Sequence, residues 1–171
     1  MAKVMTERQC VTTAEDLGKY VAKRFFCKKG VDISNLKLQK TLFFLFGYWG
    51  GFARKGKGKK TEIGCDLPEY LFNDKIEAWT YGPVIPTIFH NQDEIKRSVY
   101  KDSSSTDIFH NNEIKDFVDE LCDEIFGLSD FKLVEIAHHC HCWIDHYNDG
   151  SLRHNIEIPK EDIINEFAQK I

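Results

Sequence analysis

The spacing of apolar positions predicts most of this chain's helices. Thr13, with Asp16 three residues on, reads as an N-cap followed by an acidic first turn. Leu17, Tyr20, Val21 and Phe25 then share one helical stripe, and Gly30 suits the stop. Ser34 caps a second helix, "LKLQKTLFFLFGYW", which is apolar on nearly every side after Lys40. A helix apolar all round belongs in the middle of a fold. The segment 53–66, "ARKGKGKKTEIGCD", is basic, interrupted by glycine and without periodicity, so a loop is expected.

Further on, "YLF-ND-KIEAW" reads as a small hairpin, with Asn73-Asp74 supplying a tight turn. Glu77, Trp79 and Tyr81 alternate with Ile76, Ala78 and Thr80, the period of a strand. "YGPVIP" ends that strand, and Pro86 suits the first turn of a helix through Ile88 and Phe89. A loop at 103–107 leads to Asn111 or Asn112 as the cap of a helix ended by Gly127. Its inner stripe is Ile114, Phe117, Val118, Leu121 and Ile125; its outer face carries Asp116, Asp119, Glu120, Asp123 and Glu124. Ser129 caps "DFKLVEIAHHCHCW", with Phe131 or Leu133, Val134 and Ile136 inward, and Pro159 opens a last helix through Ile163, Ile164 and Phe167. The expected fold is mainly α: a single compact domain over 1–171, with five or six helices around a central apolar helix, one small β-hairpin and a flexible start at 1–12.

Composition agrees with a globular chain: 171 residues, 42% hydrophobic and 29% charged, with 13 Phe, 6 Tyr and 3 Trp for an aromatic-rich core. The opening "MAKVMTERQC" holds no apolar h-region, so no signal peptide is expected, and "LFFLFGYWGGF" is about half the length a bilayer demands. A cytoplasmic protein with reduced cysteines follows as the expectation. The net charge of −4 hides an asymmetry: 1–60 holds 14 Lys/Arg against 4 Asp/Glu, and 61–171 holds 9 against 23. Opposite faces of this kind steer charged partners, but the simpler reading is that the halves pack together and neutralise one another. The basic loop lacks the interleaved aromatics of a single-strand binder, so nucleic acid is not expected.

The densest chemistry is "HHCHCWIDH", four histidines and two cysteines at 138–146. On one continuous helix, His138 and Cys142, or Cys142 and His146, stand at i,i+4 and can share a zinc ion. His138 and His146 lie about 12 Å apart and cannot readily join Cys142 in one set. Further ligands would have to come from Cys122, Cys65 or His90, so a half-buried polar helix end is the preferred reading and no metal or cofactor is expected. A thiolate nucleophile at Cys140 or Cys142 lacks a base and an orienting group by spacing alone, and no P-loop, GxSxG or HExxH occurs. An enzyme is not expected.

Three segments carry a family resemblance. "ISNLKLQKTLFFLFGYW" resembles the "NLKLQKLLYYAQGWY" signature of the Panacea domain, the SocA-like antitoxin family. "DKIEAWTYGPVIPTIFH" resembles that family's "I-EAW-x-YGPV-x-P" segment. "LVEIAHHCHCW" is similar to its "L-x-x-L-T-H-x-x-x-P-W" segment, with His138 and Trp143 at the family positions, Ala137 in place of threonine and Cys142 in place of proline. With "IPKEDIINEFA" as closing helix, the resemblance runs from about 31 to 171. It implies a mainly helical antitoxin, phage-associated in many members, that neutralises a toxin by direct protein binding. The motif positions Asn35, Lys37, Gln39, Lys40, Glu77, Trp79, Tyr81, Gly82, Pro83, Val84, His138 and Trp143 are then scaffold. Lys37 and Gln39 would hold the YGPV turn from inside, and Trp79 would be mostly core. Candidate partner contacts are Tyr81, the loop cations Lys57, Lys59 and Lys60, and Asp119 and Asp123 on the acidic helix. Two alternatives stand beside this reading: a phage-encoded inhibitor of a host defence complex, such as an anti-CRISPR protein, and a small zinc- or nucleic-acid-binding regulator.

Overall fold

A computed structural model describes residues 9–56, 67–101, 107–147 and 155–171. Among them are seven α-helices, one short 3-10 turn and a three-stranded antiparallel sheet, so the fold is mainly α. Helix α1 (Ala14–Lys29) begins where Thr13 Oγ1 accepts from Asp16 N at 3.1 Å and stops at Gly30, which adopts φ 72°. Helix α2 (Asn35–Gly56) is capped by Ser34, whose Oγ accepts from Lys37 N at 3.0 Å. Its run of buried residues from Leu38 to Gly47, with Trp49 and Ala53, makes it the centre of the fold. It extends further than the periodicity suggests. Ala53 to Gly56 are helical because Arg54 ion-pairs with Glu69 at 2.8 Å and Glu161 at 2.6 Å; the rest of the basic loop, 57–66, lies outside the described residues.

Strands β1 (Glu77–Trp79) and β2 (Gly82–Val84) form the hairpin, and β3 (Ile156–Glu157) pairs with the other edge of β1. The register pairs Trp79 with Gly82, so the tight turn is Thr80-Tyr81 and not Asn73-Asp74. Asp74 is committed elsewhere: its Oδ1 accepts from Ala14 N at 3.1 Å, at the start of α1. Nor are 9–12 a loose lead-in, since Val11 and Thr12 donate to the carbonyls of Tyr70 and Leu71 at 3.0 and 2.9 Å; residues 1–8 are not among those described.

Helix α3 (Pro86–Arg97) starts with proline at its first position. Helix α4 (Asn112–Phe126) is capped by Asn111, which accepts from Ile114 N at 3.1 Å. The segment expected as one helix after Ser129 is two, α5 (Asp130–His138) and α6 (His141–Tyr147), which accounts for the seventh helix. Leu133 and Ala137 face the core while Phe131 is exposed. Helix α7 (Lys160–Lys170) closes the fold against α2. That contact is close: a Cβ at Gly51 would stand 2.7 Å from the Ala168 amide nitrogen, and one at Gly47 2.6 Å from the Phe167 ring.

The two charge halves do pack together where α1 meets α4. Arg24 pairs with Asp119 at 3.4 Å and Asp123 at 3.0 Å, and Lys28 reaches Asp123 at 2.8 Å. Among the described residues, no helix is long and apolar enough to cross a membrane.

Candidate functional site

The motif residues converge on one place, the turn between β1 and β2. β2 is an edge strand, which tolerates Pro83 because its missing N–H faces no partner strand. An uncovered edge leaves unpaired backbone groups, and here α2 covers it. Gln39 Nε2 donates to the Ile85 carbonyl at 3.1 Å while Gln39 Oε1 accepts from Ile85 N at 2.9 Å. Lys40 Nζ donates to the Pro83 carbonyl at 2.9 Å. Lys40 is only 1% exposed, and burial pushes its pKa down to about 8. Lys37, expected to reach the turn, lies on another side of α2 and pairs with Asp130 at 3.5 Å.

The other side of the turn is held by α5 and α6. His138 Nε2 bonds the Thr80 carbonyl at 3.1 Å, and Trp143 Nε1 donates to the Trp79 carbonyl at 2.8 Å. Their rings stack at 4.5 Å, and Trp143 stacks in turn on Tyr147 at 4.7 Å. The break between α5 and α6 allows this, because residues five apart on one straight helix point in different directions. Gly82 completes the turn with φ 107°; a Cβ there would sit 3.1 Å from Lys40 Cε and 3.2 Å from Ala137 Cβ, so both the backbone and the space call for glycine.

The result is a pinned turn with an exposed tip. The carbonyls of Trp79, Thr80 and Pro83 each meet a side chain, and Tyr81 stands 67% exposed. Trp79 is half-buried and off the core, since Ile76 and Ala78 take the inward positions. Its ring meets exposed Phe89 edge-to-face at 4.9 Å, and its Nε1 donates to Glu77 Oε1 at 3.1 Å. Val84 is buried beside the edge, and Asn35 sits in the first turn of α2 with its Oδ1 buried and unpartnered. Sequence reasoning missed Phe89 and Tyr147. The i,i+4 spacing of Trp143 and Tyr147 was the available signal for the second.

Of the other candidate contacts, Asp119 is mostly buried, accepting from Tyr20 and pairing with Lys115 at 2.7 Å, and Asp123 is paired with α1. The structure thus places neither as a free outer charge. Burial and Asp119 together push the Tyr20 hydroxyl up to about 12. Lys57, Lys59 and Lys60 lie outside the described residues.

The histidine–cysteine cluster is not assembled as a ligand set. His138 and Cys142 are on different helices. The ring nitrogens of His138, His139 and His146 meet the carbonyls of Thr80, Glu135 and Cys142, at 3.1, 2.7 and 2.7 Å. Cys142 Sγ donates toward Glu166 at 3.5 Å. Cys140 and Cys142 hydrogen-bond to each other, which lowers the Cys140 pKa and raises that of Cys142. Among the described residues no group of three or more His, Cys, Asp or Glu is arranged to hold a metal ion.

Residues 68–144 match the family model described as Antitoxin SocA-like, Panacea domain. The family resemblance is borne out over that span, which holds the hairpin, His138 and Trp143; Gln39 and Lys40, which cover the hairpin's edge, fall before it. No curated protein and no solved structure matches the chain.

Proposed function

We propose, from the Panacea-domain match, that this chain is an antitoxin that neutralises a partner protein in the cytoplasm by direct stoichiometric binding, without turnover or cofactor. The match supports the antitoxin class and hence a protein partner. The observation that carries direct binding is the Tyr81 turn: a large, exposed aromatic ring on a backbone fixed by Lys40, His138 and Trp143. A tyrosine held this way contributes contact area while little backbone freedom is lost on binding. Exposed Phe89 against Trp79 widens the aromatic surface.

The test is capture of the partner from the native host, identification by mass spectrometry, and dissociation kinetics of the purified pair. Tyr81→Ser should speed dissociation about tenfold or more, as for an aromatic anchor, with an unchanged melting temperature. Unchanged dissociation would remove Tyr81 from the interface. Chemical conversion of the partner by the chain would contradict neutralisation by binding.

A further inference from the structure

A second surface on the molecule is not used by the Tyr81 turn. Helices α2, α4 and α5 leave between them a groove of about 410 Å³, floored by Phe44 and Leu133 and walled by Phe52, Phe117, Leu121 and Ile136. Its size is that of a ligand site, and its lining is mostly apolar. The polar exceptions include Glu120 and Glu124, both exposed on the α4 wall.

Among the described residues three exposed acids of α4, Asp116, Glu120 and Glu124, have no cation partner, and of these Glu120 and Glu124 border the groove. Asp119 and Asp123 are neutralised by Arg24, Lys28 and Lys115. Lys132, on α5, is taken up by Glu135 at 3.4 Å. A mostly apolar trough with an acidic rim that no described cation pairs is complementary to an apolar stripe flanked by positive charge. The two glutamates stand one helical turn apart, about 6 Å along α4. A partner helix lying along α4 can present lysines or arginines at that same repeat.

We infer that this groove receives an amphipathic helix of the partner protein, with apolar anchors at i, i+3 or i+4, and i+7 and basic residues facing Glu120 and Glu124. The inference rests on the neutraliser reading and names the chemistry by which the partner is held.

The probe is a fluorescein-labelled synthetic amphipathic helical peptide with Leu and Phe anchors and flanking lysines spaced i,i+4. Its counterpart carries glutamates in place of the lysines. Fluorescence anisotropy should show binding of the lysine peptide and weaker binding of the glutamate peptide. The double substitution Glu120→Lys/Glu124→Lys, which alters exposed positions alone, should weaken the lysine peptide about tenfold and make the glutamate peptide the better ligand. Leu121→Asp should abolish both. No binding, or equal binding of the two peptides, overturns the inference. So does self-association of the chain that Leu121→Asp abolishes, or adsorption to neutral lipid vesicles through the groove. The double variant is also titrated against the captured partner. Neutralisation at wild-type strength would remove the groove from the interface and leave the neutraliser reading standing.

Discussion

Lys40 is the residue where the site's chemistry is most exposed to measurement. A one-residue step on a helix turns the side chain by about 100°. That is why Gln39 was legible as a contact of the YGPV turn, while Lys37 was named where Lys40 does the work. Periodicity marks a face but does not say which long cation folds inward. Because burial lowers the Lys40 pKa from 10.5 to about 8, folded and unfolded chains bind the same proton below pH 8 and neither does well above 10.5. Between those limits the unfolded chain alone keeps the proton, so stability rises with pH through this window. The difference in unfolding free energy between the native chain and Lys40→Met should shift in the native chain's favour by about 3 kcal/mol from pH 7.5 to 10.5. A flat difference in urea titrations would mean the ammonium is solvated. The tryptophans give a second contrast. Trp79 was expected in the core, but strand alternation cannot say which face is inward, and the structure leaves it half-buried against Phe89. Trp79→Ala should cost about 1–2 kcal/mol, and Trp143→Ala, 7% exposed and bonded to the Trp79 carbonyl, about 3–5 kcal/mol. The reverse order in urea unfolding would invert the assignment.

Helix starts were the most legible elements. Thr13, Ser34, Asn111 and Ser129 all cap as their spacing implies, because a cap is a local bond between a side chain and an amide three residues on. The hairpin was misplaced because its turn depends on distant groups. Thr80-Tyr81 is a poor turn by local propensity, and it is made by Gly82 and by contacts from α2, α5 and α6. The break at 139–140 has the same origin: no proline or glycine marks it, and it serves to bring Trp143 to the turn. The packing of α2 on α7 is likewise invisible in an apolar run, yet it rests on Gly47, Gly50 and Gly51. Alanine is the better helix former by about 1 kcal/mol, so Gly51→Ala in a loose contact would stabilise the protein. Here the new methyl meets the backbone of α7, and a net loss of about 1–3 kcal/mol is expected by thermal unfolding. A gain would show that the helices can part without cost.

Across the whole molecule, the opposite charge of the two halves is in part internal neutralisation, at Arg24, Lys28 and Arg54. Among the outward features of the described residues are the acids Glu120 and Glu124 beside a mostly apolar groove, and the aromatic tip at Tyr81. Neither could be read from the chain, because which charges are spent depends on which helices meet. With His138, Cys142 and His146 turned to separate partners, stability should not depend on metal: EDTA should leave the melting curve unchanged. A marked drop in melting temperature on chelation, with stoichiometric zinc by elemental analysis, would contradict this arrangement. The central claim is that the chain works by occupying its partner. The most direct measurement titrates the purified chain against its captured partner and follows the partner's activity at several incubation times. Loss of activity should saturate near one chain per partner and be independent of time once binding is complete. Progressive inactivation by substoichiometric chain, in a mixture free of protease, would contradict the account.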